Sequence, residues 1–257
     1  MHRDVTALVR PRTVVIVGAS SKRSSQGNVV IQNLQNWKFQ GRILPVHPSA
    51  AEIDGLAVLN SYEALPDAVD TAIVAVPAAE VVETLRQLAL AGVRSANVFS
   101  NGFSTEQEAA MRTFGAQTPM SINGPNCMGL VNFTDAAPLY PSRPSLRLQP
   151  GRVALVAQSG SAAISVMNTI TTGLSKVITV GSEFQVTAAD YLAWLANDEA
   201  TTVVGVVAES IQDPVAFAHA ARGSAGGAEA ADVMRVVRAM LWRHQEVEPL
   251  SQHIVPA

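Results

Sequence analysis

The stretch Val14-Val15-Ile16-Val17-Gly18-Ala19-Ser20 decides the fold of this chain, because an apolar run leads directly into small residues. The run predicts a buried strand of a parallel sheet. The small residues allow a tight turn that exposes the backbone amides of the following helix. A second stretch of the same kind is Val153-Ala154-Leu155-Val156-Ala157, followed by Gln158-Ser159-Gly160-Ser161. Because helix starts favour anions, the sequence predicts two sites that handle phosphate.

Composition narrows the classes of function. The chain has 257 residues, 48% hydrophobic and 15% charged, which is enough for one large α/β domain or two smaller ones. A formal net charge of −3 gives no support to a nucleic-acid or membrane partner. The single cysteine excludes an internal disulfide framework and fits a reducing compartment. Because we find neither a signal-peptide pattern nor an apolar run of spanning length, we expect a cytoplasmic protein.

Strand and helix patterns alternate along the first half, which predicts a doubly wound parallel sheet over residues 1–135. Residues 136–151 are rich in proline and predict a linker. The alternation restarts and predicts a second, incomplete α/β domain over residues 152–222. Residues 223–257 are predicted to be an atypical tail, with a glycine-rich break, one helical apolar stripe and no strand. The stripe consists of Val233, Val236, Val237, Met240 and Leu241.

A helix is predicted to begin near Thr105. Thr105 is a candidate N-cap, and Glu108 lies at the position that would complete a capping box with it.

The turn at Gly18 could alternatively be a dinucleotide-binding fingerprint. That fingerprint needs closely spaced glycines and an acidic residue at the end of the second strand. Gly18 and Gly27 are too far apart, and the second strand ends in Val46-His47-Pro48. An NAD(P)-dependent oxidoreductase therefore stays an alternative that these residues disfavour.

Three other residues have competing readings. Cys127 lies in a Gly-Pro turn, and because no base or cation is placed beside it we expect a buried thiol rather than a nucleophile. Glu209 follows the apolar run Val203–Ala208, at the end of a strand where α/β sheets place their sites, but a cap or a solvated carboxylate remains an equal reading. His219 is expected to pack or face solvent. We find no spacing that predicts a metal site.

Seven short segments follow one another along the chain in an order and at spacings that are specific to one family. They are Val17-Gly18-Ala19-Ser20, Val46-His47-Pro48, Ala75-Val76-Pro77-Ala78, Ser100-Asn101-Gly102-Phe103, Gly124-Pro125-Asn126-Cys127-Met128-Gly129, Gln158-Ser159-Gly160, and Val180-Gly181-Ser182-Glu183 before Ala189-Asp190. In this order the chain from Val14 to Arg222 resembles the CoA-binding α half of the NDP-forming acyl-CoA synthetases, including the α subunit of succinyl-CoA synthetase. The resemblance implies a Rossmann-like CoA-binding domain followed by a flavodoxin-like ligase domain.

The resemblance also implies roles for individual residues. The family converts acyl-CoA, phosphate and NDP to acid, CoA and NTP, or the reverse, through a phosphohistidine. The CoA nucleotide should meet Gly18, Ala19, Ser20, Ser25 and Gln26. The rest of the CoA path should be lined by Pro77, Ser100 and Asn101, with Asn126 at the thioester end. Ser159, Gly160 and Ser161 should hold the phosphoryl group, and Glu209 should orient the histidine.

The chain departs from the family pattern in two places. The family often has Asn-Pro-Lys after the second strand, whereas this chain has His47-Pro48-Ser49, so one cation for the CoA phosphates is missing. The family's Gly-His or His-Thr-Gly loop is absent. His244 and His253 fall at about the right distance from Glu209, but their neighbours do not match.

Three hypotheses of function follow. The first is the α-type portion of an acyl-CoA synthetase, which binds CoA and a small carboxylic acid or its thioester and needs an ATP-grasp β subunit or domain. The second is a CoA-binding protein without ligase chemistry. The third is the NAD(P)-dependent oxidoreductase. The sequence leaves the acyl substrate, the choice of ADP or GDP, and assembly as a homo-oligomer open.

Overall fold

The computed structural model describes residues 2–144, 148–222 and 238–241, the last as backbone only. The elements up to residue 123 are α1 (Thr6–Val9), β1 (Thr13–Val17), α2 (Gln26–Asn36), β2 (Arg42–Val46), β3 (Glu52–Ile53), β4 (Leu56–Ala57), a 3₁₀ turn (Tyr62–Ala64), β5 (Thr71–Val74), α3 (Ala78–Leu90), β6 (Ser95–Val98), α4 (Thr105–Gln117) and β7 (Ser121–Asn123). The elements that follow are β8 (Leu130–Asn132), β9 (Ala137–Leu139), β10 (Pro150–Ala157), α5 (Gly160–Thr169), β11 (Leu174–Thr179), α6 (Ala188–Leu195), β12 (Val203–Ala208), α7 (Pro214–Arg222) and β13 (Arg238–Leu241).

The first half of the chain forms a five-stranded sheet in the order β2-β1-β5-β6-β7, with every pair parallel. The residues of β1 and β5 are all buried, as expected for strands covered by helices on both faces. The chain moves outward from β1 to β2 and then returns to the other side of β1 as β5. The carboxyl ends of β1 and β5 therefore flank the point where the strand order reverses, the usual place for a ligand crevice.

The second half forms a six-stranded mixed sheet in the order β13-β12-β10-β11-β8-β9. The strands β10, β11, β12 and β13 are parallel, whereas β8 is antiparallel to both β11 and β9. The α/β fold with a Rossmann-like parallel sheet followed by a second, flavodoxin-like sheet agrees with the sequence prediction.

The hairpin of β8 and β9 belongs to the second sheet, although the sequence assigned Leu130–Asn132 to the first domain and Ala137–Leu139 to the linker. The strands are short, and β9 contains Pro138, so neither shows the periodicity that identifies a strand. A proline is tolerated there because β9 is the edge of the sheet.

One apolar cluster contains residues of both halves. It includes Leu8 of α1, Ile16 of β1, Val156 of β10, Ile178 of β11 and Tyr191 of α6, all buried. The two sheets therefore share a continuous core, and α1 lies within it. Each large nonpolar side chain buried in this way stabilises the fold by roughly 1.5–3 kcal/mol.

Two local predictions are wrong. The N-cap of α4 is Ser104, not Thr105, and Gln107 rather than Glu108 completes the capping box. Both residue pairs fit the same sequence pattern one position apart, so the pattern alone could not choose between them.

The tail was predicted to contain a helical stripe and no strand, but Arg238–Leu241 pairs in parallel with β12. A short apolar run has no periodicity that separates helix from strand, and the open edge of β12 offers a ladder to it. Val233, Val236, Val237, His244, His253 and the glycine-rich break lie outside the described residues. Within the parts of the chain that the structure describes, no helix has the length and apolar character that a bilayer crossing requires.

Candidate functional site

Gly18 lies at the crevice between the carboxyl ends of β1 and β5. Its φ is +98°, in the left-handed region, and a Cβ on it would collide with the carbonyl group of Ala75. Gly27, in the first turn of α2, is similarly close, since a Cβ there would come within 2.7 Å of the Ala19 nitrogen. Only glycine therefore allows the turn after β1 to pass so close to its neighbours.

The loop between β1 and α2 is held by Asn28. Its Oδ1 accepts hydrogen bonds from the backbone amides of Ser20 at 2.9 Å and Ser25 at 3.2 Å. Its Nδ2 donates to the Ser20 carbonyl at 2.9 Å and to Asp54 at 2.7 Å. Ser25 is the N-cap of α2, and its hydroxyl donates to the Gly18 carbonyl at 2.8 Å. The loop is thus ordered by its own side chains before any ligand arrives.

The predicted CoA residues of this loop differ in exposure. Ala19 is buried, Ser20 and Ser25 are half-buried, and Gln26 is exposed at the start of α2. The exposed Gln26 and the half-buried Ser20 and Ser25 are open to a ligand at this edge. Ala19 can contribute through its backbone.

Hydrogen bonds continue the edge from β5 to β7. The hydroxyl of Ser100 donates to the Val76 carbonyl at 2.5 Å, and the amide of Asn126 donates to the Ser100 carbonyl at 2.9 Å. Asn126 has a φ of +56° and is exposed. Pro77 and Asn101 are also exposed at this edge, Pro77 as the N-cap of α3. The structure therefore brings the predicted CoA residues after β5, β6 and β7 to one rim.

Cys127 lies below this rim and is 4% exposed. Its thiol contacts the Val98 carbonyl at 3.3 Å and receives a hydrogen bond from Asn123 at 3.4 Å. Burial raises the pKa of Cys127 to about 12. A thiol with this pKa carries almost no thiolate near neutral pH, which agrees with a structural role.

The second glycine turn begins α5. Ser159 is its N-cap, and the hydroxyl accepts a hydrogen bond from the Ala162 amide at 3.3 Å. The hydroxyls of Ser159 and Ser161 lie 2.9 Å apart, and Ser161 is exposed. This helix start presents amides and hydroxyls to the same space, which suits a phosphoryl group.

Glu209 follows the strand β12, which pairs directly with β10. Its side chain is exposed. Its backbone amide donates to the side-chain oxygen of Gln158 at 2.6 Å, and Gln158 immediately precedes Ser159. Glu209 and the start of α5 therefore lie at the same edge of the second sheet.

Glu183 lies in the loop before α6, and the sequence assigned it no role. It is 4% exposed and has a φ of +50°. Its carboxylate accepts a hydrogen bond from the Ala188 amide at 3.3 Å, and the residue lines a small cavity together with Ser210. Burial raises the pKa of Glu183 and the charge of Asp190 raises it further, whereas hydrogen bonding to the carboxylate opposes the shift.

Two candidate regions, the rim of predicted CoA residues from Gly18 to Asn126 and the predicted phosphoryl site at the start of α5, adjoin at residues 124–129. A Cβ on Gly160 would lie 2.6 Å from the Met128 sulfur, and the Ser182 amide donates to the Pro125 carbonyl at 2.9 Å. Met128 is tied to β11 through its amide and the Thr179 hydroxyl at 2.8 Å. The rim that ends at Asn126 is therefore continuous with the start of α5.

Sequence reasoning missed Asn28, Gln158 and Glu183 as parts of the site. Asn28 stands at the third helical position, where only Glu or Gln makes a recognisable capping box. Gln158 and Glu183 lie in segments that the sequence did single out, but Gln158 bonds to Glu209 and Ser210 across 51 and 52 positions, which no local pattern reveals.

Family comparisons agree with this geometry. The model of the CoA binding domain matches residues 12–132, and the model of the succinyl-CoA ligase-like flavodoxin domain matches residues 150–229. The chain is 33% identical over 233 residues to trans-feruloyl-CoA synthase FCS1 from an unknown prokaryotic organism, a match that covers 86% of this chain and 33% of that protein. It is also 33% identical to the α subunit of acetate–CoA ligase [ADP-forming] I from Pyrococcus furiosus, covering 85% of this chain and 50% of the subunit.

A solved structure shows the same arrangement. Acetyl-coenzyme A synthetase 1 from Ca. Korarchaeum cryptofilum, in complex with phosphate and ADP, superposes with a TM-score of 0.79 at 28% identity, covering 86% of this chain and 49% of that one. The chain thus spans between a third and a half of the length of these relatives. The chain therefore consists of a CoA binding domain followed by a succinyl-CoA ligase-like flavodoxin domain, and it is similar to the α-type portion of the NDP-forming acyl-CoA synthetases.

Proposed function

We propose that this chain binds CoA along the rim from Gly18 to Asn126 and presents the thiol end to a phosphoryl group at the start of α5. The observation that carries the proposal is the contact of Gly160 with Met128, which makes the two candidate regions one continuous surface. A reaction between an acyl group, CoA and phosphate needs all three within reach of one another.

The roles of the phosphoryl residues follow from their chemistry. The amides and hydroxyls of Ser159, Gly160 and Ser161 can surround the equatorial oxygens of a transferring phosphoryl group. Glu209, at the neighbouring strand end, can accept a hydrogen bond from an imidazole and so fix its orientation. Both roles remain part of the proposal.

A nucleotide-binding partner is the remaining requirement. We expect an ATP-grasp subunit or domain to supply the nucleotide site, since the relatives that match this chain are about two to three times as long. The small carboxylic acid would bind where the CoA thiol and the phosphoryl group meet, and its identity depends on residues of the whole assembly.

A CoA-binding protein without ligase chemistry is the second candidate. It is favoured by one observation: the sequence contains no Gly-His or His-Thr-Gly segment of the kind that carries the family's phosphohistidine. A nicotinamide-dependent oxidoreductase is disfavoured, because the second strand ends in Val46-His47-Pro48 without an acidic residue, and the carboxylate of Asp54 is already bound by Asn28.

An assay of the isolated chain tests whether it needs a partner for acyl-CoA formation. Residues 1–257, incubated with acetate, CoA and ATP, should form no acyl-CoA and acquire no acid-labile phosphate, because they contain no Gly-His or His-Thr-Gly segment of the kind that carries the family's phosphohistidine. Acyl-CoA formation by the chain alone, or phosphorylation of His244 or His253, would contradict this expectation. Mass spectrometry of the intact protein and of its peptides measures both.

A further inference from the structure

The side-chain amide of Gln158 extends a strand pairing that the backbone itself cannot continue. β10 and β12 pair in parallel up to Ala157 and Val207, and the backbone amide of Gln158 donates to the Val207 carbonyl at 3.0 Å. The chain then turns at Ser159, the N-cap of α5, so its backbone leaves β12 at this point. The residues that follow β12 therefore need another hydrogen-bond partner if they are to stay beside the turn.

The Gln158 side chain supplies that partner with both ends of its amide group. Its Oε1 accepts hydrogen bonds from the backbone amides of Glu209 at 2.6 Å and Ser210 at 3.0 Å. Its Nε2 donates to the Ser210 carbonyl at 2.7 Å. If the amide rotated by half a turn, its NH₂ group would face two backbone N–H groups, which cannot accept a hydrogen bond. In its one favourable orientation, the side chain takes the place of a peptide group of a neighbouring strand.

The far end of the loop after β12 is held by different contacts. The Nε2 of Gln212 donates to the Ser182 carbonyl at 3.2 Å, and α7 begins at Pro214. The hydrogen bonds of Gln158 therefore act on the beginning of the loop, which is the part that carries Glu209.

We propose that Gln158 is a positioning residue, whose side-chain amide fixes the place of Glu209 relative to the start of α5. Gln158 is joined covalently to Ser159 and by a hydrogen bond to the Glu209 backbone, so one residue sets the separation of the two groups. This inference rests on the proposed function in one respect, namely that Glu209 and residues 159–161 act together on a phosphoryl group and an imidazole. A shift of the carboxylate by about 1 Å would break such an arrangement. Gln158 itself touches no reacting atom.

The first arm of the test measures amide hydrogen exchange in the full chain by ¹⁵N NMR. Gln158→Met keeps the length of the side chain but removes its amide. The Glu209 and Ser210 amides should then exchange about tenfold faster, because each loses its hydrogen bond. Gln158→Glu keeps an acceptor for both amides and should retain most of their protection. Exchange at the wild-type rate in Gln158→Met would overturn the proposal.

Two controls separate this link from a general loosening of the fold. The Val204 and Val206 amides, within β12, should exchange at the wild-type rate in every variant. Gln87→Ala is the matched control, because it removes the exposed hydrogen bond of 2.7 Å between Gln87 and Glu83 and should leave the two loop amides unchanged. Faster exchange throughout β12 in Gln158→Met would mean that the substitution loosens the sheet, and the positioning role would be overturned.

The second arm is a double-mutant cycle with inorganic phosphate as the probe, followed by the amide chemical shifts of Gly160 and Ser161. In the otherwise wild-type chain, Glu209→Gln should tighten phosphate binding several-fold, because it removes a negative charge held beside the start of α5. In Gln158→Met the same change should alter the affinity by less than about twofold, since Glu209 is no longer held there. An equal effect of Glu209→Gln in both backgrounds would overturn the positioning role.

Failure of the proposed function gives a different result. If the wild-type chain binds no phosphate, or if Glu209→Gln leaves its phosphate affinity unchanged, Glu209 and the start of α5 do not form one phosphoryl site and the proposed function fails. The exchange rates then decide on the link by themselves. Faster exchange of the two loop amides in Gln158→Met supports the hold of Gln158 on Glu209, and unchanged exchange overturns it.

Discussion

Gly18 shows at the scale of one residue how the sequence specifies the site. Its positive φ and its closeness to the Ala75 carbonyl leave no room for a Cβ. The turn therefore depends on the absence of a side chain, and the same absence lets a ligand approach the backbone. The loop that follows is then fixed by Asn28, so the glycine and the asparagine together preorganise one wall of the crevice.

Gly18→Val should weaken CoA binding more than tenfold and lower the free energy of unfolding by about 1–3 kcal/mol, because a β-branched residue is strained at this φ and collides with Ala75. Calorimetric titration and chemical denaturation measure the two effects. Gly92→Ala is the matched control. Gly92 also has a positive φ, +78°, but a Cβ placed on it would lie 3.9 Å from its nearest neighbour, the Asp67 carbonyl oxygen.

The control should lose some stability and keep its CoA affinity. Equal losses of CoA affinity in the two variants would mean that the effect of Gly18→Val reflects backbone strain in general. The proposed close approach of CoA to Gly18 would then be wrong.

The sequence predicted individual site residues where a local rule applies and missed them where it does not. Gly18 and Ser159 stand in strand-to-helix turns, whose small residues carry a recognisable signal. Gln158 and Glu209 interact only because β10 and β12 pair and end at one edge. Such a contact depends on the assembled sheet and has no signature within either segment.

The loop before α6 is an element in which a carboxyl group is buried at a cost. Burial raises the pKa of Glu183, and Asp190 contributes in the same direction. Asp213 also lines the small cavity that this carboxyl borders. Because the folded-state pKa lies above the unfolded value, the group stabilises the fold below that unfolded value and loses this contribution as the pH rises through the raised pKa.

Glu183→Gln should therefore gain stability relative to the wild type as the pH rises above 4.5, the ordinary pKa of the group, and the difference should level off above the raised value. Urea unfolding of both proteins from pH 4 to pH 8 measures the difference. A constant difference across this range, or a difference of the opposite sign, would show that the folded state does not raise the pKa of Glu183.

Element boundaries were predictable wherever the periodicity was long and clear. The helix α3 and the strand β12 follow apolar patterns that extend over several turns or alternations. The hairpin of β8 and β9 and the strand β13 are too short for such a pattern, and they form because neighbouring strands offer them hydrogen bonds. Tertiary pairing decided those elements, so sequence reasoning alone could not find them.

The whole molecule is held together by the shared core and by one buried ionic cluster. Asp198 contacts Lys176 at 2.6 Å and Arg10 at 2.8 Å, and the side chains of Asp198 and Lys176 are fully buried. Arg10 follows α1, whereas the other two residues belong to the second half of the chain. The cluster therefore joins the N-terminal segment to the second sheet.

Asp198→Ala should lower the free energy of unfolding by about 3–5 kcal/mol, because it leaves the Lys176 ammonium buried without its partner. Chemical denaturation measures this change. The double variant Lys176→Met with Asp198→Leu should recover most of the loss. As a matched control, Glu83→Ala removes one member of an exposed pair and should leave the unfolding midpoint unchanged. Equal losses in the two single variants would contradict the account.

The central claim is that the crevice beside Gly18 binds CoA, and direct titration tests it most simply. Isothermal calorimetry of the full chain with CoA and, separately, with NADH distinguishes the two ligands that a glycine turn of this kind could accept. The account predicts that CoA binds with one site per chain and that NADH gives no binding heat, because the second strand ends in Val46-His47-Pro48, without the acidic residue that would bind the ribose hydroxyls. Binding of NADH without binding of CoA would contradict it.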